Sequence, residues 1–456
     1  MRSRMSPEII SIIALAVMFV VATIFPVNMG ALAFVAAFLV GTLAVGMETP
    51  DILAAFPGDL FLTIVGVTYL FAIAQNNGTI DLLVRGAVRL VRGRIALIPW
   101  VMFFVTALIT AMGALSPAAV AIIAPIALGF AAKYRINTLM MGMFVIHGAQ
   151  AGGFSPIAVY GVTVNTIMAG TPLEQSPTAV FLASLFFNLG IAVVLFFLFG
   201  GRKLFGAKAE HFDEDVAGSR QANARGGDVD LKGFGSGMYG SRDPAGGTAV
   251  ATTVATRKQL VPQVLTIIGL VALGVIALGF KVNVGFVAIT IAVVLALVSP
   301  EAQKGAVNKI SWSTVLLVCG MLTFVGVLTT AGTIDYVSEG VANIGIPLIV
   351  ALLICYIGAV VSAFASSTAI IAVLIPLAVP FLLDGNIGAI GVICALAVSA
   401  TIVDVSPFST NGALVLANAP DADKDGFYKR ILTYSGVVVL VGPILAWLVF
   451  VVPGWL

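Results

Sequence analysis

Long apolar runs separated by short polar breaks dominate the chain. They fall at about 8–25, 29–46, 60–77, 95–132, 137–168 and 177–200, and then at 259–279, 283–298, 312–331, 346–383, 387–418 and 428–453. Transmembrane strands would alternate polar and apolar residues, whereas these runs are continuous and predict helices. A run of roughly 20 residues suffices to cross a hydrocarbon core about 30 Å thick. The expectation is an all-α polytopic membrane protein.

The runs come in the same order of lengths twice, and local sequence agrees. Phe25 to Gly30 (FPVNMG) recurs as Phe280 to Gly285 (FKVNVG), a shift of 255. Gly78 to Asp81 (GTID) recurs at Gly332 to Asp335, a shift of 254. Ser116 and Pro125 match Ser367 and Pro376, and Ser155-Pro156 matches Ser406-Pro407, each with a shift of 251. Ordered matches with a slowly drifting offset are the mark of an internal duplication. The basic N-terminus followed by an apolar run resembles a signal peptide, but that run is part of the first repeat. The repeats are 1–200 and 258–456. Between them, 201–257 is rich in Gly, Ser, Ala and charge, as expected of a disordered linker.

Two runs in each half are too long for one span. At 1.5 Å per residue, about 32 helical residues would reach roughly 48 Å. We read 95–132 and 346–383 as re-entrant helical hairpins, and 137–168 and 387–418 as single broken transmembrane helices. Each repeat then crosses five times, so the second is inverted relative to the first. Charge agrees: of the 23 Lys and Arg residues, all but Arg2, Arg4 and Lys281 fall in loops that this topology places in the cytoplasm, as the positive-inside rule requires. Both termini are then outside and the linker is cytoplasmic. The predicted setting is a bacterial inner membrane. Two full spans joined at the far surface would sort charge equally well, so the hairpins keep both readings.

Composition sharpens this picture. The chain has 456 residues, of which 60% are hydrophobic and 10% charged, against roughly 25% charged in soluble domains. Cys319, Cys355 and Cys394 lie singly in apolar runs and read as packing residues. No GxxxxGK[ST] loop, HExxH pair or paired-cysteine motif occurs, so neither ATP drive within the chain nor a metal site of that kind is expected, and no cofactor beyond a co-transported ion.

Polar residues within the runs collect at four breaks: Ser116-Pro117, Ser155-Pro156, Ser366-Ser367-Thr368 and the stretch from Asp404 to Asn411. Ser is a favoured N-cap and Pro suits the first helical position, so each Ser-Pro pair reads as the start of a half-helix. Such an N-terminus offers unpaired N–H groups and partial positive charge to an anion. The preceding half-helix offers carbonyls to a cation. Unwound backbone at that depth is tolerated only inside protein or along a water-filled cavity, and paired broken helices at the midplane of inverted repeats are a secondary-transporter arrangement. Pro kinks satisfied by neighbouring Ser and Thr are the plainer alternative. Asp404, whose repeat counterpart is Gly153, has three readings: cation ligand, proton carrier, or cap of a half-helix near Ser406. His147 is either a second titrating group or a satisfied bundle histidine. Asp81 and Asp335 read as interfacial caps.

Two inverted repeats, each with a hairpin and a broken helix, resemble the ion transporter superfamily, which includes divalent-anion:sodium symporters. The segments ALSPAAVAIIAPIALGF and AGGFSPIAVYGVTVN are most similar to the malonate and dicarboxylate carrier family. In the symporters, a Ser-Asn-Thr motif at each hairpin tip touches sodium and a substrate carboxylate. The tips here read Ser116-Pro117-Ala118 and Ser366-Ser367-Thr368, without the Asn. The resemblance implies a substrate site of Ser116, Pro117, Ser155, Pro156, Ser367, Thr368, Ser406, Pro407, Ser409, Thr410 and Asn411. It implies ion ligands among Ser116, Ser155, Ser366, Ser367, Thr368, Asp404, Ser406 and Thr410, with Asp404 and His147 as candidates for proton linkage.

The expected function is Na⁺- or H⁺-coupled symport of a small dicarboxylate such as malonate, not an enzymatic reaction. The expected partners are that substrate, lipid and optionally a second copy in a homodimer, with no nucleic acid. A cation/proton antiporter using Asp404 is the alternative within transport. An intramembrane hydrolase using a serine with His147 is the alternative from another class.

Overall fold

A computed structural model describes residues 6–25, 27–89, 91, 93–206, 257–279, 282–342, 346–363, 366–383, 387–419 and 424–454. Most of the expected linker, residues 364–365 before the expected second tip, and Arg2, Arg4 and Lys281 lie outside them. The described residues are helical, with no strand among them. The first half contains α1 (Pro7–Ile24), α2 (Met29–Val40), α3 (Thr49–Ala54), α4 (Gly58–Asn76), α5 (Thr79–Arg89), α6 (Ile98–Ala111), α7 (Ser116–Lys133), α8 (Thr138–Gly153), α9 (Val159–Ala169) and α10 (Pro177–Leu198). The second contains α11 (Arg257–Gly279), α12 (Val284–Val298), α13 (Pro300–Gln303), α14 (Trp312–Thr330), α15 (Thr333–Ala342), α16 (Pro347–Ser362), α17 (Ser367–Leu383), α18 (Ala389–Ile402), α19 (Thr410–Ala417) and α20 (Lys424–Phe450).

Among the described residues, seven helical segments are long and apolar enough to cross a membrane, and the protein is a membrane protein. Each long apolar run is divided as its breaks suggest, giving α6 and α7, α8 and α9, α16 and α17, and α18 and α19. The sequence pattern did not resolve α5 and α15. They are short amphipathic helices that begin just after Gly78 (φ 76°) and Gly332 (φ 74°), and Asp81 and Asp335 lie in their first turns.

The packing exchanges elements between the halves. Helix α2 lies on α14, and α12 lies on α4. Glycine permits both approaches, as is usual for close helix crossings in lipid. A Cβ on Gly30 would enter the backbone of Leu316, and one on Gly320 would enter the backbone of Gly30. At the other crossing Gly285 meets the backbone of Leu62 and Thr63, while Gly66 meets the Gly285 carbonyl. Asn28 and Asn283 cap α2 and α12 alike, each accepting from the two amides two and three residues on. Hydroxyl contacts are exchanged in the same sense. Ser11 on α1 meets Thr333 on α15 at 2.6 Å, and Asn77, just before α5, donates to Thr266 on α11 at 2.7 Å.

Four clusters of core result. The largest centres on α6–α10 and α16–α20. Three smaller clusters centre on α1–α4 and α11–α14. Within the large core, Gly148 and Gly152 form a GxxxG pair on α8. Cβ atoms there would strike the carbonyls of Phe103 and Ala107, so α6 and α8 run backbone to backbone. Helix α6 then turns into α7 at Gly113, whose φ of 108° excludes a side chain and whose missing Cβ leaves room for Val67. Cys319, Cys355 and Cys394 are buried free thiols.

The exchange makes a direct prediction. A Ser11→Cys/Thr333→Cys variant carrying a protease site within 207–256 should stay one band on a non-reducing gel after cleavage and oxidation. Two bands under those conditions would contradict the packing of α1 on α15.

Candidate functional site

The two helix breaks are built alike. At the first, α8 ends and the chain turns through 154–158 before α9. The Ala158 amide donates to the Ser155 carbonyl at 2.9 Å, and the Ser155 amide donates to the Gly152 carbonyl at 3.1 Å. At the second, α18 ends in a short 3₁₀ turn over Val403–Val405. There the Ser409 amide donates to Ser406 O, and the Ser406 amide to Val403 O, both at 3.0 Å. The serine hydroxyls fold back in parallel, accepting from Ile157 N at 3.3 Å and from Phe408 N at 3.2 Å. Each turn closes on a glycine: Cβ atoms on Gly161 or Gly412 would overlap the carbonyl oxygens of Ser155 or Ser406.

This corrects the role expected of the Ser-Pro pairs. Ser155-Pro156 and Ser406-Pro407 do not start half-helices. They occupy the first two positions of β-turns, where Pro at the second position is favoured because its fixed φ suits the turn. The half-helices begin later, α9 at Val159 after Ala158 and α19 at Thr410 after Ser409. Ser409 is the true cap, accepting from Gly412 N at 3.2 Å and donating to the carbonyls of Asp404 (2.5 Å) and Ser406 (2.7 Å). Asp404 is therefore not the cap of α19. Ser116-Pro117 does open α7, but the cap position is Leu115, with no side-chain cap bond, so the Ser116 hydroxyl has another use.

That use is a contact between the halves. Asn411, in the first turn of α19, donates from Nδ2 to Ser116 Oγ at 2.8 Å. At the matching place, Ser367 at the start of α17 donates to Asp404 Oδ1 at 2.7 Å. The Ser367 hydroxyl also lies 2.9 Å from that of Ser362, which donates to Ala400 O at 2.6 Å. Tyr160, in the first turn of α9, lies beside Asp404, Ser367 and Thr368. Thus α19 reaches the N-terminus of α7, and α9 reaches the N-terminus of α17. The Asn411 Oδ1 atom is buried without a hydrogen-bond partner among the described residues. It is an acceptor directed at the interior beside the start of α7.

The structure thus brings Ser116 to Asn411, Ser367 to Asp404, and Thr368 to Tyr160. Ser155 is held by the close approach of α8 to α6, donating to Ala111 O at 2.7 Å. Pro117 and Pro156 are half-buried and Pro407 is buried, whereas Ser366 and Thr410 are exposed. His147 lies about 9 Å before the first break along α8, from the helical rise. Both its ring nitrogens are engaged, Nδ1 with Asn188 Oδ1 at 2.8 Å and Nε2 with the Tyr434 hydroxyl at 2.7 Å. The sequence reading missed Tyr160 and Ser362. The repeat offset signals the first, because 251 positions before Asn411 is Tyr160.

Residues 5–153 match a protein family described as the N-terminus of the dicarboxylate carrier protein MatC. That match takes in α7 and stops at the end of α8. No curated protein matches the chain. Among solved structures, the chain is similar to the crystal structure of the Alcanivorax borkumensis YdaH transporter. The TM-score is 0.57 at 16% identity, covering 87% of this chain and 86% of that one. At this identity the likeness speaks to the fold.

The turns themselves are open to test. Gly161→Ala and Gly412→Ala should each lower thermal stability by at least about 1–3 kcal/mol, the usual cost of overpacking. Gly86→Ala, where a Cβ meets nothing within 4 Å, should not. Unchanged melting of the purified Gly161 and Gly412 variants would refute the tight closure.

Proposed function

We propose that the protein is a secondary active transporter for a small dicarboxylate, with malonate the first substrate to try, and not an enzyme. The observation that carries this reading is the reciprocal contact of each half-helix start with the N-terminus of a helix from the other half. It brings four helix starts, with their Ser, Thr and Asn groups, into two buried contacts, Asn411 on Ser116 and Tyr160 beside Ser367. Helix N-termini suit carboxylates, and the family matched over residues 5–153 is that of a dicarboxylate carrier.

In this reading the chain is two inverted repeats of five spans, with α6–α7 and α16–α17 as re-entrant hairpins and α8–α9 and α18–α19 as broken helices. The matched series of helices and their exchanged packing support it. The segment 201–257 joins the repeats on the cytoplasmic side of a bacterial inner membrane, and both termini are outside. The α7 and α17 N-termini, with Ser116, Ser367, Thr368 and Asn411, hold the substrate carboxylates. Tyr160 orients Asp404 and Ser367. A dianion moving inward against a negative potential meets a cost of about 2.3 kcal/mol per charge per 100 mV. We assign the offsetting cation, Na⁺ or H⁺, to Asp404 and the hydroxyls and carbonyls around it.

Labelled malonate should accumulate in proteoliposomes under an inward Na⁺ or H⁺ gradient, and failure under both would reject the substrate. Asp404→Asn should abolish gradient-driven accumulation. Proton movement driven by Na⁺ without any organic anion would instead identify an antiporter. Tyr160→Phe keeps the ring and removes the phenol. The phenol lies beside Asp404, and its loss should slow uptake. Wild-type rates in that variant would remove Tyr160 from the site.

A further inference from the structure

Away from the breaks, α10 and α20 diverge to leave a groove of about 1290 Å³. This exceeds the roughly 300–1,000 Å³ of small-molecule pockets. Its walls are apolar, formed by residues such as Phe186 and Val194 on α10 and Val437 and Leu445 on α20. No acidic residue lines it among the described residues. Its charged lining consists of Lys429 and Arg430, in the second turn of α20. These belong to the set of basic residues that the charge pattern assigns to the cytoplasmic face, together with Lys133, Arg135 and Arg202 around the adjoining ends of α7, α8 and α10.

We propose that this groove is a binding site for one anionic phospholipid, its acyl chains along the apolar walls and its headgroup at Lys429 and Arg430. A dicarboxylate would find hydrocarbon along most of the groove, and a zwitterionic lipid sets its own cation against the attraction of its phosphate to two basic groups. An anionic amphiphile matches both ends. Basic pockets between helices on the cytoplasmic side are recognised lipid-headgroup sites, and the long Lys and Arg stems extend the apolar wall beneath their charges. The groove also reaches the helices that lead into the breaks. Tyr434 lines the groove while holding His147 of α8, and Ile402 lines it at the end of α18, two residues before Asp404. The lipid therefore packs against both helices that lead into the breaks.

The test uses the full chain extracted from vesicles of equal phosphatidylglycerol and phosphatidylcholine, with bound lipid counted by native mass spectrometry. Wild type should retain phosphatidylglycerol in preference. Lys429→Gln/Arg430→Gln should lower that preference about tenfold or more, the scale of two basic groups beside an anionic headgroup. Gly190→Trp offers an independent variant if the charge variant fails to fold. Gly190 lines the groove and its Cβ direction is open, so the indole should fill the groove and displace the lipid. Equal retention of both lipids by wild type, an unchanged preference in the folded charge variant, or undiminished lipid in Gly190→Trp would each overturn the proposal. So would a Phe186→Cys disulfide between two copies in the membrane, which would make the groove a subunit interface.

Discussion

A peptide unit that leaves a helix within lipid has no water to replace its lost partner, and each unsatisfied group there costs several kcal/mol. The two breaks meet this demand with the same local device. A β-turn returns one amide to the serine carbonyl, the serine hydroxyl takes a second amide, and a glycine of the next helix lies against the turn. The glycine is required because the turn and the half-helix occupy space that a Cβ would fill. At the first break the same need reaches further, since Ser155 hands its hydroxyl hydrogen to Ala111 on α6. That bond exists only because Gly148 and Gly152 let α6 and α8 touch. The site thus stands on small residues about one and two turns before it.

The second organising feature is exchange. If each half folded on itself, its hairpin and its broken helix would form separate polar loci. Instead α9 serves α17, and α19 serves α7. The outer helices are exchanged in the same way, α2 with α14 and α12 with α4. Neither half can bury its glycine crossings or complete its polar contacts alone. The starts of α7 and α17 therefore each rest on a half-helix of the other half.

The apolar runs and their breaks were legible in the sequence because lipid imposes length and continuity, and sequence matches at shifts of 251 to 255 pointed to paired elements. The helix boundaries within the breaks were not. Ser-Pro fits both a helix start and a β-turn, and only the fold distinguishes them. Helices α5 and α15 escaped notice because their apolar residues recur at helical spacing among charges, leaving no continuous run. Ser362 was hidden for another reason: a lone serine near the end of an apolar run is chemically mute until Ser367 and Ala400 are placed beside it. Tyr160 was recoverable, since the repeat offset maps it onto Asn411, but an aromatic and an amide do not look like equivalents.

That last pair shows where the symmetry stops. Tyr160 and Asn411 stand at equivalent positions, yet one presents a phenol to a carboxylate and the other an amide to a hydroxyl. The counterpart of Asp404 is Gly153, where a Cβ would lie 2.9 Å from the Tyr160 ring. The ring thus fills the space in which a second acid would begin, and the scaffold holds a single carboxylate at the breaks. On the transport reading this asymmetry has an electrostatic consequence. One carboxylate about 6 Å from another, at an effective dielectric constant near 20, meets a repulsion of roughly 3 kcal/mol. A dianion would therefore enter weakly while Asp404 is charged and uncompensated. A cation or proton on Asp404 removes that penalty, and departure of the same cation restores it. On that reading the lone acid would link occupancy by the anion to occupancy by the cation, with no basic side chain at the breaks among the described residues.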